Sequence, residues 1–161
     1  MKKLIAYDLG TGGIKASLFS EDGDSLADVF IQYKTYFPQE HFVEQRPMDW
    51  WDHVCAATKK LLVTSGSPAS DIACVALSGH SLVAVPLDSR GSLLADQVPI
   101  WCDMRAKEEA EELFSRLDYD SWYMTTGNGD PAECYTVAKL MWMKKHQPVL
   151  YRQIHKILGS K

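Results

Sequence analysis

Apolar and polar positions alternate through the first part of the chain. Leu4-Ile5-Ala6-Tyr7 is a short apolar run, and Ile14, Ala16 and Leu18 then alternate with Lys15 and Ser17. A period of two is the strand signature. Glu21-Asp22-Gly23-Asp24 supplies a hairpin turn, and Ser25 to Tyr36 reads as a further extended run. The pattern predicts strands over about 3–8, 14–20 and 25–35.

A loop containing Pro38 follows, and then the period changes. Trp51, Val54, Cys55, Thr58, Leu61 and Leu62 recur at helical spacing up to Ser65-Gly66. Pro47 suits the first helical turn, where its missing N–H costs nothing, and Asp49 complements the helix N-terminus. Ile72 to Leu77 is bounded by turn residues and predicts a buried central strand. Ser78-Gly79-His80-Ser81 interrupts it, and Leu82 to Leu87 resumes as a strand. Ser89-Arg90-Gly91-Ser92 makes a turn, and Ile100 to Arg105 is a loop leading into a helix from about Ala106 to Leu117. Tyr135 to His146 and Val149 to Leu158 predict two more helices separated by Pro148. No internal repeat or low-complexity linker breaks the order. Three antiparallel strands, a helix and a parallel-type strand predict an α/β domain of RNase H-like or actin-like kind, a mixed sheet flanked by helices.

Candidate chemistry sits at the first turn, Asp8-Leu9-Gly10-Thr11-Gly12-Gly13-Ile14-Lys15. A strand-end carboxylate, close-approaching backbone N–H groups, a hydroxyl and a cation are what a phosphate and its metal need. A plain hairpin turn fits the same residues. A Walker A loop requires Gly-Lys-Ser/Thr running into a helix, and a dinucleotide fingerprint requires GxGxxG opening one. The glycines at 10, 12 and 13 fit neither spacing, and strand periodicity follows them. The phosphate candidate therefore lies in a β-hairpin.

The 161 residues suffice for one well-buried domain, and 46% hydrophobic with 24% charged residues is ordinary for a soluble protein. The net charge of −4 comes partly from Lys107 to Asp120, six acidic residues against two basic, read as the solvated face of a helix. No basic cluster marks a nucleic-acid or anionic-membrane partner. The cysteines at 55, 74, 102 and 134 have no metal-type spacing, and Cys55 and Cys74 in their apolar runs read as reduced core residues. Met1-Lys2-Lys3 precedes only four apolar residues, too few for a signal peptide, and nothing approaches a membrane span, so a cytoplasmic location is expected.

Five segments, in order, resemble the N-terminal lobe of the FGGY carbohydrate kinases, the group of glycerol kinase, xylulokinase and gluconokinase. They are Asp8 to Lys15, Glu44-Gln45-Arg46-Pro47 with Trp50-Trp51, Ala76 to Asp88, Pro99 to Arg105, and Thr126-Gly127 leading to Lys139. The resemblance implies a two-lobed actin-like fold with sugar and ATP in a cleft, and Mg2+-dependent transfer of the γ-phosphoryl group to a sugar or polyol hydroxyl. It implies that Asp8 holds Mg2+ directly or through water, that Gly10, Thr11 and Gly12 cradle the phosphates, and that Lys15 offsets their charge. For Lys15 a solvent-exposed strand position is the alternative.

On the sugar side, the family's contacts come from Gly79-His80-Ser81-Leu82. Glycerol kinase carries Arg-Glu at the places of Ser81 and Leu82, and xylulokinase Met-His; this chain has neither pair, a departure that puts both substrate assignments in doubt. His80 and Ser81 can hydrogen-bond a polyol and Leu82 cannot; a structural role for His80 is the alternative. Trp101 and Asp103 are the second pair, an aromatic face for the sugar ring and a carboxylate for its hydroxyls. The alternative is that Trp101 is core and Asp103 pairs with Arg105 to shape the loop; Arg105 itself reads as structural, and Trp50 and Trp51 as packing residues. Asn128, Asp130 and Glu133 add polar groups in a region that lines the sugar cleft in relatives, and Cys134 aligns with a family sugar-binding tyrosine, which argues against glycerol.

The resemblance places the catalytic aspartate and the adenosine-binding lobe beyond Lys161, so residues 1–161 are expected to be a partial, N-terminal lobe, inactive alone. No catalytic base is assigned within the chain, and a homodimer is left open. The rival expectations are a noncatalytic sugar- or phosphate-binding module and an actin-like ATPase without a sugar substrate.

Overall fold

Lys3–Leu9 (β1), Gly13–Ser20 (β2) and Ser25–Gln32 (β3) form an antiparallel meander in the computed structural model, which describes residues 2–161. The chain divides into two compact units. The first holds the residues through Thr35, with Arg46–His80 and Ser160–Lys161; the second holds Tyr36–Gln45 and Ser81–Gly159.

In the first unit Ile72–Gly79 (β5, following the short β4 at Glu44–Gln45 of the second unit) lies parallel to β1, giving the strand order β3-β2-β1-β5. The alternation read from the sequence puts Ile5, Tyr7, Leu9, Ile14, Ala16, Leu18 and Val29 on one buried face. Helix α1, Pro47–Ser65, packs on β2 and β3 and buries Trp50, Ala57 and Leu61. Each large apolar side chain so buried contributes about 2 kcal/mol. Pro47 opens the helix as its ring predisposes, and Gly66, at φ 63°, closes it. The N–H groups of Gly66 and Ser67 return to the carbonyls of Val63 and Leu62.

Two expectations fail here. β5 is parallel to β1 as anticipated, but it is the edge strand among the described residues, with Val75 58% and Leu77 49% exposed. An apolar run records that a strand is sticky on both faces, not that partners have arrived. For the same reason Cys74 is exposed and Cys55 only half-buried, so neither is the core residue expected.

In the second unit Glu44–Gln45 (β4) pairs with Val98–Pro99 (β7), and Val85–Leu87 (β6) pairs with Lys156–Leu158 (β8). Helices α2 (Lys107–Phe114), α3 (Tyr119–Thr126), α4 (Thr136–His146) and α5 (Pro148–Gln153) complete it. Ala106, Ala110 and Ala138 form a small-residue core against which Ala132 and Trp142 pack, letting α2 and α4 approach closely. The acidic face of α2 is not wholly solvated: Glu109 is buried, within 3.1 Å of His146 Nε2 and 3.3 Å of Lys145 Nζ.

Three boundaries differ from the sequence pattern. The strand expected from Leu82 begins only at Val85, because Leu82 takes a left-handed φ of 61° that ends any extended run. The helix expected to Leu158 stops at Gln153; Ile154 is extended, and β8 pairs with β6 instead. Helix α3 was not anticipated. Its apolar periodicity is weak, but Asp118 caps it by accepting from the Ser121 N–H, and Gly127 at φ 70° ends it.

The deepest part of this unit is polar. Asp103 is fully buried, its Oδ2 accepting from Val43 N–H (2.7 Å) and Arg105 Nη2 (2.8 Å), its Oδ1 from Arg105 Nε (2.8 Å) and N–H (3.2 Å). Arg105 also donates to Glu44, and its guanidinium lies 3.8 Å from the Phe42 ring centroid and 4.9 Å from that of Trp142.

Two stability predictions follow from these sites. Arg105→Lys keeps a charge but loses the planar fork and the ring stacking, and should destabilise by about 2 kcal/mol; Arg105→Met leaves two carboxylates uncompensated and should cost about 4 kcal/mol. Urea unfolding with an unchanged midpoint in both variants would contradict this. A Cβ at Gly13 would stand 2.4 Å from Ile31 O and 2.9 Å from Gln32 Cα, so Gly13→Ala should cost about 3 kcal/mol by forcing β3 away, read as a thermal midpoint lower by about 10 °C.

Candidate functional site

The β1–β2 register sets the chemistry of the first unit. Asp8 lies directly opposite Lys15 in the antiparallel pair and beside Ser78 of β5, so carboxylate and ammonium share one face at the sheet end. That face is the one away from α1, and both side chains are exposed on it. Lys15 is 60% exposed and 3.5 Å from Asp28, a solvated strand position from which a long side chain reaches outward. Asp28 also accepts from the Ser17 hydroxyl. That bond chiefly, with Lys15 adding to it, holds its carboxyl below the usual carboxylate range.

The turn is closed by Gly10 N–H donating to Gly13 O at 3.0 Å. Gly10 therefore commits its amide inside the turn, and a Cβ there would meet Gly13 O at 3.2 Å, so its part is to shape the loop. Within the expected phosphate cradle of Gly10, Thr11 and Gly12, the Gly10 amide is thus already engaged by the turn itself. Gly12 differs: it is exposed, and a Cβ would meet nothing within 4 Å. Its carbonyl accepts from Tyr33 N–H at 3.2 Å, which ties the end of β3 to the turn. Burial first, and the Asp8 charge second, push the Tyr33 phenol above the ordinary tyrosine range. Thr11 sits half-buried between the two glycines.

His80 closes the same end of the sheet. The Leu9 carbonyl accepts from both His80 N–H and ring Nδ1, each at 2.9 Å. A carbonyl only accepts, so Nδ1 carries the proton in this arrangement. The ring stands edge-on to Trp50 at 5.4 Å, its Nε2 is buried, and the Ser160 hydroxyl donates to the His80 carbonyl. The ring thus joins the end of β5 to the end of β1. Of the two readings of His80, the geometry supplies the structural one.

In the second unit, Ser81 and Trp101 are exposed, Trp101 by 44%. Asp103 is corrected. Its two oxygens already accept four hydrogen bonds, the capacity of a carboxylate, and it has no surface through which to meet a hydroxyl. It shapes the loop with Arg105. Asp130 and Glu133 line a cleft of about 320 Å³ with Lys107, Phe114 and Tyr119, while Asn128 is half-buried outside it. Cys134 is buried, and burial raises its thiol above the usual value despite the nearby Lys139. Among the described residues, no group of three metal-ligating side chains converges. No helix among them is long and apolar enough to cross a membrane.

The residue that sequence reasoning passed over is Lys139. It is wholly buried in α4 and donates to Leu82 O at 2.8 Å and Ile100 O at 2.6 Å. Desolvation lowers its pKa to about 8. The visible signal was a cation set four residues before Met143, inside the buried stripe of its helix.

Comparison with known proteins gives these positions a context. The profile of the FGGY family of carbohydrate kinases, N-terminal domain, matches residues 3–161. Xylulose kinase of Escherichia coli (strain K12) is 30% identical over 98% of this chain and 31% of its own length. Xylulose kinase of Staphylococcus xylosus is 27% identical over 100% of this chain and 32% of its own. The crystal structure of xylulose kinase from Rhodospirillum rubrum superposes with a TM-score of 0.88 at 27% identity, over 99% of this chain and 32% of that one. The chain thus spans about a third of the length of the relatives it matches. Its mixed sheet and flanking helices are those of the actin-like fold of these kinases. A profile match along essentially all of the chain, carried on a shared fold, places this protein in the FGGY family of carbohydrate kinases, where it corresponds to the N-terminal domain.

Proposed function

We propose that the chain works as the N-terminal, sugar-side part of a cytoplasmic kinase that transfers the γ-phosphoryl group of ATP to a hydroxyl of a sugar or polyol. The observation that carries this reading is the β1–β2 hairpin. An exposed carboxylate and an exposed ammonium stand opposite one another, beside a turn whose Gly12 leaves open space where any other residue would place a Cβ. Family membership across residues 3–161 supports it.

Phosphoryl transfer requires positioning and neutralisation of charge more than covalent chemistry by the protein. Thr11 and Gly12 would supply donors to the transferring phosphate, with Gly10 holding the turn closed. Lys15 would exchange its exposed contact with Asp28 for the stronger pull of a phosphate. Mg2+ fits the donor set. A hard cation that keeps most of its waters is held by one or two carboxylates and the substrate's phosphates, and Asp8 presents one such carboxylate. When bound, the ion would neutralise charge on the phosphates. On the sugar side, Ser81 would hydrogen-bond a hydroxyl and Trp101 would offer its face to the ring, while His80, Asp103 and Arg105 hold the loops that carry them. No described residue is assigned as the base that takes the hydroxyl proton.

These roles separate experimentally in the protein expressed over its whole reading frame. A coupled assay across D-xylulose, D-gluconate, glycerol and other polyols and aldoses should find sugar-dependent ADP release; ATP hydrolysis indifferent to every acceptor would overturn the reading. Asp8→Ala should lower kcat by about 100-fold or more at unchanged thermal midpoint. Gly12→Ala meets no protein atom, so it should leave the midpoint unchanged and raise the KM for ATP about tenfold by filling the phosphate's space. A Gly12→Ala enzyme with normal ATP kinetics would remove the turn from the site.

A further inference from the structure

A buried lysine is costly, and Lys139 is wholly buried. Its ammonium donates to two backbone carbonyls rather than to a carboxylate: Leu82 O at 2.8 Å and Ile100 O at 2.6 Å. Those carbonyls lie next in sequence to Ser81 and Trp101, the two exposed residues assigned to the sugar. One ammonium therefore ties together the two segments that present them.

Leu82 is also one of the two non-glycine residues among those described that have positive φ, at 61°. A leucine there carries about 1–3 kcal/mol of strain, which persists only where the surroundings over-determine it. Hydrogen bonds to a charged group contribute about 1.5–3 kcal/mol each, enough to outweigh that strain. Without the ammonium, the Leu82 carbonyl would lose this donor, while Ile100 O would keep the Asp103 N–H at 3.1 Å, and the leucine would be free to relax to an ordinary φ. Because φ and ψ of Leu82 set the chain direction next to Ser81, that relaxation would re-aim the Ser81 side chain.

We propose that Lys139 is a positioning residue for sugar recognition: through the Leu82 carbonyl it holds that residue in its left-handed conformation and so sets the direction in which the neighbouring Ser81 meets the substrate. The proposal rests on the assignment of the 81–82 loop to the sugar. It differs from a general core role because the two carbonyls chosen flank the presenting residues.

The electrostatic surroundings give the clamp a pH signature. Burial is the main influence lowering the Lys139 pKa, to about 8; Arg105 adds to it, while Asp103, Cys134 and Cys102 work the other way. The folded-state value lies below the ordinary 10.5, so between about 8 and 10.5 the unfolded chain binds more protons, and this group's contribution to stability rises with pH there. Above about 8 the clamp loses its charge and keeps weaker neutral donors.

The test uses the protein expressed over its whole reading frame, as wild type, Lys139→Met, and Lys139→Met combined with Leu82→Gly. The first readout needs no sugar. The Val83 amide, which reports the Leu82 carbonyl, should shift with pH with a midpoint near 8 in wild type and lose that titration in Lys139→Met. The second uses D-xylulose, D-gluconate and glycerol with ATP. Lys139→Met should raise the KM of the accepted acceptor about 10- to 100-fold with kcat changed far less. Glycine adopts left-handed backbone without strain, so Leu82→Gly should recover much of that KM in the Lys139→Met background. A folded Lys139→Met protein with wild-type KM, or one whose Val83 amide shift is the same as in wild type, overturns the proposal. If no acceptor is used by wild type, the kinase reading fails, and the change in the Val83 amide between wild type and Lys139→Met then decides whether Lys139 holds the loop.

Discussion

Arg105 carries a full positive charge into an interior from which water is excluded. Moving such a group out of water costs several kcal/mol even after relaxation, and an ion pair offsets that only when its geometry is good. Here the guanidinium meets Asp103 through two nitrogens, reaches Glu44 with one of them, and has aromatic rings of Phe42 and Trp142 within 4.9 Å. The four partners come from three segments: Phe42 and Glu44 from the 36–45 loop, Asp103 from the 98–105 loop and Trp142 from α4. The charge can be accommodated only when all three have arrived, which makes it a condition on the architecture of the second unit more than a source of stability. Lys139 lives under the same condition. Asp103, which pairs with Arg105, is also the carboxylate that most favours the charged form of Lys139.

The first unit is organised differently. Its interior is mainly apolar, with the Tyr7 hydroxyl meeting Thr58 of α1, and Asp8, Lys15 and Asp28 lie on the face of the sheet away from α1. Specificity comes from register: an alternation with one face buried cannot slip by one residue without turning Ile5, Tyr7, Leu18 and Ala16 outward. The same register brings Asp8 opposite Lys15. A hairpin that buries its hydrophobic residues correctly therefore brings this carboxylate and ammonium together as a by-product. The glycines then divide the labour, with Gly13 admitting β3, Gly10 closing the turn and Gly12 leaving space outside.

Where reading the chain went astray, the misses share a cause. Ile72 to Leu77 is an apolar run and forms a strand, yet what lies against that strand is not written in the run. Leu158 ends a segment with helical spacing, but its backbone pairs with Val85, far away in sequence. Leu82 sits in an extended-looking run, and its left-handed φ breaks that run where its carbonyl meets the distant Lys139. Asp103 looked as fit for a sugar hydroxyl as for an ion pair, since carboxylates serve both purposes; its four filled acceptor positions decide the matter. In each case a local pattern left two outcomes open and a long-range contact chose between them.

The sequence alone determined the three-strand meander, the span of α1 with its proline start and glycine stop, and the hairpin that joins Asp8 to Lys15. These are governed by forces acting within a few residues: the pleat, turn sterics and helix capping. The tertiary structure alone decided that His80 ties strand ends together, that Asp103 belongs to Arg105, and that Lys139 reaches back 57 and 39 residues to hold Leu82 and Ile100. Such contacts depend on which distant groups are buried together. Burial of a charge is a property of the packed chain, and no local periodicity encodes it.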